Sequence, residues 1–306
     1  MILLAEHFVR APQWLWYILF YFFLAGLAAG SYVLATILRV AGGPRDEPAA
    51  RLGYYIALPA TLLCPILLTA DLGVSWSRFW HMLIDTTPGE TGLNFKYWSP
   101  MSVGVWALLV FGFFVAVSAL DTWARDRQGR ANGLLGAGGG RIFNIVGSVI
   151  GLFVLSYTGV LLSVSNQPVW SDTWALGGLF LASGLSGAAA LITLLVRYRP
   201  EASFSLERLR LADGYFAILE LALLVAFFAT VAIAGSAGRT LTWLPLWILV
   251  LVGIGASMLG VRRPARLQAS GESVAVAPVA MEATVVSILV LLAVLAMRAA
   301  VIFSAQ

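Results

Sequence analysis

Apolar runs of about 20 residues, the length that crosses a bilayer core of about 30 Å, recur along the whole chain. They cover Trp14–Val40, Leu52–Leu72, Pro100–Leu120, Ile142–Val164, Trp174–Val196, Leu211–Ala234, Leu244–Leu259 and Val279–Val301. A soluble core cannot bury so many. Hydrophobic residues are 60% of the chain and charged residues 11%, against roughly half and a quarter in a soluble domain. The alternation of polar and apolar residues that marks a membrane barrel is absent. The expected fold is all-α: a polytopic membrane protein of eight transmembrane helices, one domain over 1–306.

Charge placement predicts the orientation. The links after the first, third, fifth and seventh runs carry Arg39, Arg45 and Arg51; Arg125, Arg127, Arg130 and Arg141; Arg197, Arg199, Arg208 and Arg210; and Arg262, Arg263 and Arg266. Only Arg10, Arg78, Lys96, Arg239 and Arg298 fall elsewhere among the 19 basic residues. Positive charge stays cytoplasmic, so both termini are expected in the periplasm of a bacterial inner membrane. These arginines also account for a pI near 9.5, and no nucleic-acid motif accompanies them. The tail MILLAEHFVRAPQ has no small-residue cleavage site and reads as uncleaved.

Several chemistries lack their residues. The two histidines are His7, in the tail, and His81, between the second and third runs. No span holds a histidine to ligate a haem, and the single Cys64 cannot hold an iron–sulfur cluster. No HExxH, CxxC, GxGxxG or P-loop string occurs. Cys64 reads as an inert packing thiol.

The polar residues within the spans are few. Asp71 ends the second run, Asp121 ends the third, Asp213 opens the sixth and Glu220 follows seven residues on, near mid-membrane by helical rise. Interfacial solvation accounts for Asp121, and equally for Asp213, which also suits a helix N-terminus. A mid-membrane carboxylate points to a proton relay or a water cavity, with a hydrogen-bonded structural role as the alternative. Arg298 reads as a snorkelling residue.

The segment 75–99 reads as an interfacial loop on the outer side. Trp76, Phe79, Trp80 and Leu83 are spaced for one face of a short helix. An aromatic belt explains the tryptophans, but not the gathering of Asp71, Arg78 and His81 beside them. Tyr17 and Tyr21 are four residues apart in the first span, and Tyr157 lies inside the outer boundary of the fourth. Gly26 and Gly30 form a small-xxx-small step for close helix approach. Phenols, an aspartate, an arginine and a histidine at one end of three spans suit a flat amphipathic ligand with carbonyl acceptors, and a quinone has that form.

Five strings in order carry a resemblance: FFLAGLAAGSY in the first span, LLTADLG with SRFWHML after the second, WSPMSVGVW at the third, YTGVLLS with PVW at the fourth, and DGYFAILE in the sixth. The chain resembles the NrfD/PsrC family, the membrane subunits of polysulfide-reductase-like oxidoreductases. The resemblance implies two four-helix bundles and a haem-free anchor, without an iron–sulfur cluster of its own, that reacts with menaquinone or ubiquinone. It implies a ferredoxin-like iron–sulfur subunit and a molybdopterin-type catalytic subunit as partners. The implied quinone site lies toward the periplasmic face of the first bundle, with Tyr17, Tyr21 and Tyr157 near the head group. Asp71 and Glu220 match family carboxylates that handle protons, and Asp121 and Asp213 are expected to extend that pathway.

On this reading Asp71 and His81 exchange protons, and Arg78 holds Asp71 or a partner carboxylate. Arg78, Trp80, Lys96 and Trp98 face the partner subunit. The competing expectations are a structural anchor without its own quinone site, and a secondary transporter, which needs broken helices and an inverted repeat.

Overall fold

A computed structural model describes residues 10, 12–73, 75–89, 92–127, 133–262 and 276–306. His7, Arg130, Arg263 and Arg266 lie outside the described residues. The chain is helical nearly throughout: α1 (Trp16–Ala41), α2 (Glu47–Asp71), α3 (Pro100–Arg127), α4 (Ala137–Ser163), α5 (Leu176–Val196), α6 (Leu206–Ile233), the short α7 (Ala237–Leu241), α8 (Leu244–Arg262) and α9 (Val276–Phe303). Among the described residues seven helices are long and apolar enough to cross a bilayer. The run expected as the seventh span is α8, whose apolar part, Leu244–Leu259, is shorter than the others.

The long helices pack as two rings. One contains α1, α2, α3 and α4; the other contains α5, α6, α8 and α9. They join where α1 lies along α5. A methyl group at Gly30 would stand 2.5 Å from the Gly184 carbonyl oxygen and 2.7 Å from the Ala188 methyl. The small residues of α1 and α5 therefore let two backbones meet, which is how helices associate where lipid offers no hydrophobic drive.

Several boundaries differ from those expected. α3 runs to Arg127, so Asp121 lies within the helix. α6 begins at Leu206, which puts Asp213 about two turns inside and removes any N-terminal dipole role. α2 continues through Pro59 and Pro65; transmembrane helices tolerate proline where neighbouring groups take up the freed carbonyls. The carbonyls so freed are those of Tyr55 and Thr61; the Cys64 thiol and Thr69 Oγ1 add side-chain bonds to other carbonyls of the helix, those of Ala60 at 3.2 Å and Pro65 at 2.7 Å.

The segment after α2 is not an α-helix. Trp76–Met82 forms 3-10 turns, and a two-residue antiparallel ladder follows, β1 (Ile84–Asp85) with β2 (Gly92–Leu93). None of Trp76–Met82 is buried, and Trp76 is 57% exposed. The expected apolar face is thus presented outward rather than packed on the bundle. Exposed aromatics of this segment mark one end of the molecule, and the arginines mark the other.

At the arginine-rich end buried carboxylates tie the links. Asp46, in the turn Pro44–Asp46, accepts from the Gly43 amide at 2.9 Å, Ser205 Oγ at 2.8 Å and Arg208 Nη1 at 2.5 Å, joining the two rings. Asp121, fully buried, accepts from the Leu134 and Leu135 amides at 2.6 and 3.1 Å and from Arg125 Nε at 2.9 Å. Interfacial solvation does not describe Asp121. It is a clamp on the link between α3 and α4, because a desolvated carboxylate needs several donors.

Candidate functional site

At the aromatic end an open cavity of about 420 Å³ lies between the end of α2, the loop and the start of α3. Its cations are Arg78 and Lys96, with His81, Asn94, Ser99 and Ser102 as further polar neighbours. Leu72, Met82 and Met101 supply its apolar wall. The volume falls in the usual range for small-molecule sites, about 300–1,000 Å³.

Local chemistry fixes the wall. Ser99 precedes Pro100 at the start of α3, the sequence pattern of a helix N-terminus. The Asn94 carbonyl accepts from Ser102 Oγ at 3.3 Å and Trp106 Nε1 at 3.2 Å, and Asn94 Nδ2 donates to the His81 carbonyl at 2.9 Å. Asn94 thus holds both the loop and the His81 backbone against α3. The His81 ring stands edge-on to Trp80, with centroids 4.2 Å apart. Sequence reasoning misses Asn94 and Ser102. The NFKYWSPMS string contains both, but nothing in it shows the loop folding back on α3.

Farther along, Asp85 accepts from Thr87 Oγ1 at 2.6 Å and the Thr87 amide at 2.9 Å. The Thr87 hydroxyl and amide hold this exposed carboxyl below its ordinary range.

The expected quinone residues divide into two groups. Arg78 and His81 line the cavity. Tyr21 and Tyr157 are buried beneath it, within electrostatic reach of each other and of Cys64. The first turn of α3 separates the groups. Ser99, Met101 and Ser102 face the cavity, while the Tyr157 hydroxyl donates to the Pro100 carbonyl and its ring crosses Gly104.

Tyr17, one turn beyond Tyr21, is 52% exposed. Asp71, half-buried, is the last residue of α2, beside the cavity residue Leu72. Arg78 makes no ion pair with it among the described residues, so the expected Arg78–Asp71 pair is not formed. Of the residues expected to meet a partner, Trp98 is 68% and Trp80 39% exposed, and Lys96 lines the cavity with Arg78.

The remaining carboxylates belong elsewhere. Glu220 is buried in α6, where the charges acting on it are Arg298 and Asp213. Asp213 accepts from Ser186 Oγ at 2.5 Å. Arg298 does not snorkel: it is fully buried and donates to the Phe22 carbonyl at 3.1 Å, Ser183 Oγ at 3.2 Å and the Val294 carbonyl at 3.1 Å. Its length would let it reach water, but its donors are used where α1, α5 and α9 meet. Asp121 lies in the other ring, away from this cluster.

A bundle of apolar helices with a polar cavity at one end and buried carboxylates within it defines a polytopic membrane protein, with a candidate site on the loop side. The chain belongs to the polysulphide reductase, NrfD family, whose match covers residues 4–306. A polysulfide reductase chain of Wolinella succinogenes is 31% identical over 56% of this chain and 55% of its own length. Protein NrfD of Escherichia coli is 27% identical over 75% of this chain and 74% of its own. A selenate reductase subunit of Mesobacillus selenatarsenatis is 26% identical over 38% of this chain and 24% of its own. The chain thus spans about half the length of the Wolinella polysulfide reductase relative.

Proposed function

We propose that this chain is the haem-free membrane anchor of a respiratory oxidoreductase. It exchanges electrons between menaquinone or ubiquinone and an iron–sulfur partner subunit, itself wired to a molybdopterin-type enzyme. The observation that carries this reading is the cavity lined by Arg78, His81 and Lys96, one helical turn from the buried Tyr21–Tyr157 pair. A quinone head group needs donors for its two oxygens and an apolar surround. Arg78, Lys96 and Ser102 supply donors on one side of the α3 turn, and Tyr157 supplies one on the other once it leaves Pro100. The chemistry of the bound quinone is two-electron, two-proton exchange. The chain's residues hold the head group.

In this reading α8 completes eight spans, both termini lie in the periplasm of a bacterial inner membrane, and the aromatic loop is the seat of the iron–sulfur subunit. Trp80, Trp98 and Arg78 offer the aromatic and guanidinium surface that protein interfaces favour, with Lys96 beside them. The Asp213–Glu220–Arg298 cluster is then the proton-handling element of the second ring, and Asp71 that of the rim. The names of the relatives, components of polysulfide and selenate reductases, support the class of complex.

Titration of the purified protein with a short-chain naphthoquinone analogue tests the reading. Saturable binding is expected, weakened about tenfold by His81→Ala, a loss of about 1.4 kcal/mol. A protein that shows no saturable binding is a structural anchor only.

A further inference from the structure

The half of the first ring nearest the arginines contains buried polar side chains that the quinone reading leaves unused. Tyr32 and Thr36 on α1, Tyr54 on α2, Ser118 on α3 and Asn144 on α4 are each at most 4% exposed. Ser118 Oγ donates to Asn144 Oδ1 at 2.8 Å. Its single proton is then used, so the Tyr32 hydroxyl, 2.8 Å away, donates to it. Thr36 Oγ1 donates to the Tyr32 carbonyl at 3.0 Å, which leaves the Tyr54 hydroxyl, at 2.9 Å, donating to Thr36. These are two hydrogen-bonded strings, and they meet at Asn144. Its carbonyl is 3.5 Å from Thr36 Oγ1, and its Nδ2 has no partner among the described residues.

Each end of this array reaches something useful. At the arginine-rich end the Tyr54 ring lies 4.4 Å from the Arg39 guanidinium. Arg39 is held by Glu47 at 2.7 Å and lies 4.0 Å from Asp121. Glu47 is 24% exposed and so touches solvent. At the other end Thr61, on α2, is buried with its Oγ1 unpartnered, one turn from Cys64, the neighbour of Tyr21. Thr61 lies level with Gly112, six residues from Ser118 along α3, or about 9 Å of helical rise. Phe111 borders that step, its ring edge-on to Tyr32 at 5.6 Å.

Hydrogen bonds between helices are one use of such groups in lipid, but that use leaves Asn144 Nδ2 and Thr61 Oγ1 unpartnered among the described residues. An unpartnered buried polar atom is destabilising, and apolar side chains would fill the same space without it. Polar atoms left over at both joints are the sites where bridging water finds its hydrogen bonds.

We propose that this array is a proton route from the arginine-rich face to the Tyr21–Tyr157 end of the first ring, separate from the Asp213–Glu220 cluster. The proposal rests on the quinone reading. Reduction of one quinone consumes two electrons, supplied by the iron–sulfur partner, and two protons; quinol oxidation returns both. The route carries protons singly. Glu47 exchanges with solvent and passes a proton toward Tyr54. Tyr54 already donates to Thr36; Thr36 turns from the Tyr32 carbonyl, and Ser118 and Tyr32, whose protons point toward Asn144 at rest, turn away from it. Each hydroxyl thus releases its own proton onward as it receives another, and no charge remains on a phenol. Water at Asn144 joins the two strings, and water beside Phe111 carries the last step to Thr61. Arg39 fixes the entrance without itself losing a proton.

The test uses the complex purified with its own partner subunits, reconstituted in vesicles with a pH dye on the arginine-rich side. A short-chain naphthoquinone is the substrate. Tyr32→Phe removes a hydroxyl and little volume; Ser118→Ala cuts the neighbouring link should the first variant fold poorly. The expected result is at least tenfold slower proton exchange with the dye side during turnover, with naphthoquinone affinity in detergent unchanged. Equal proton exchange in parent and folded variants, with or without a lowered melting temperature, overturns the route and makes the array structural. A parent complex that fails to react with the quinone at all overturns the quinone reading, and the route with it.

Discussion

Gly104 carries no side chain at the point where the Tyr157 ring crosses α3, and a methyl group there would collide with the phenol carbons. The ring would have to leave the Pro100 carbonyl. Gly104→Ala is therefore expected to weaken naphthoquinone-analogue binding about tenfold and to lower stability by about 1–3 kcal/mol, the usual cost of overpacking. Titration and thermal unfolding in nanodiscs measure both, and unchanged affinity would separate Tyr157 from the quinone. Tyr157 is legible in the sequence as a phenol near a membrane boundary. Gly104 is not, because one glycine among thirty has no meaning until the ring it accommodates is located. Arg298 shows the reverse error. Its place near the end of an apolar run suits snorkelling, yet three helices, α1, α5 and α9, surround it with acceptors.

At the scale of elements, the loop between α2 and α3 departs furthest from its sequence pattern. The i, i+3, i+4, i+7 spacing of its apolar residues fits a helix, but the segment tightens to 3-10 turns and then reverses through β1 and β2. Asp85 anchors that reversal by accepting from Thr87. A carboxyl held below its ordinary range adds order that is present above the unfolded value, about 4, and lost as pH falls through the folded value. A carbon-13 titration of Asp85 is expected to show a depressed midpoint that Thr87→Val moves back toward the ordinary carboxylate range. An ordinary midpoint in the parent would remove the turn's dependence on Asp85. The α1–α5 contact, in contrast, is readable as Gly26 and Gly30 and a run of small residues, since close approach in lipid leaves that signature.

For the whole molecule, the arginine distribution is a statement about topology that chemistry can check. With Ser77→Cys in the aromatic loop and Arg45→Cys at the opposite end, a membrane-impermeant maleimide is expected to label the first from the periplasm and the second only after permeabilisation. Labelling in the opposite sense would invert the orientation. Cys64 is buried and should stay silent. The class of protein follows from the residues alone: apolar runs of bilayer length allow only helices that satisfy their own backbone hydrogen bonds, and five ordered strings mark the family. The residues also gather Asp71, Arg78 and His81 at one end, where charged groups beside lipid are costly. Which polar groups meet is settled by packing. Packing divides the expected quinone residues across the first turn of α3, leaves Asp71 and Arg78 without a mutual ion pair, buries Arg298, and assembles Tyr32, Ser118 and Asn144 from three helices. Hydrogen bonds between residues tens of positions apart depend on the rotation of each helix about its axis. The full bundle sets that rotation, and local periodicity does not encode it.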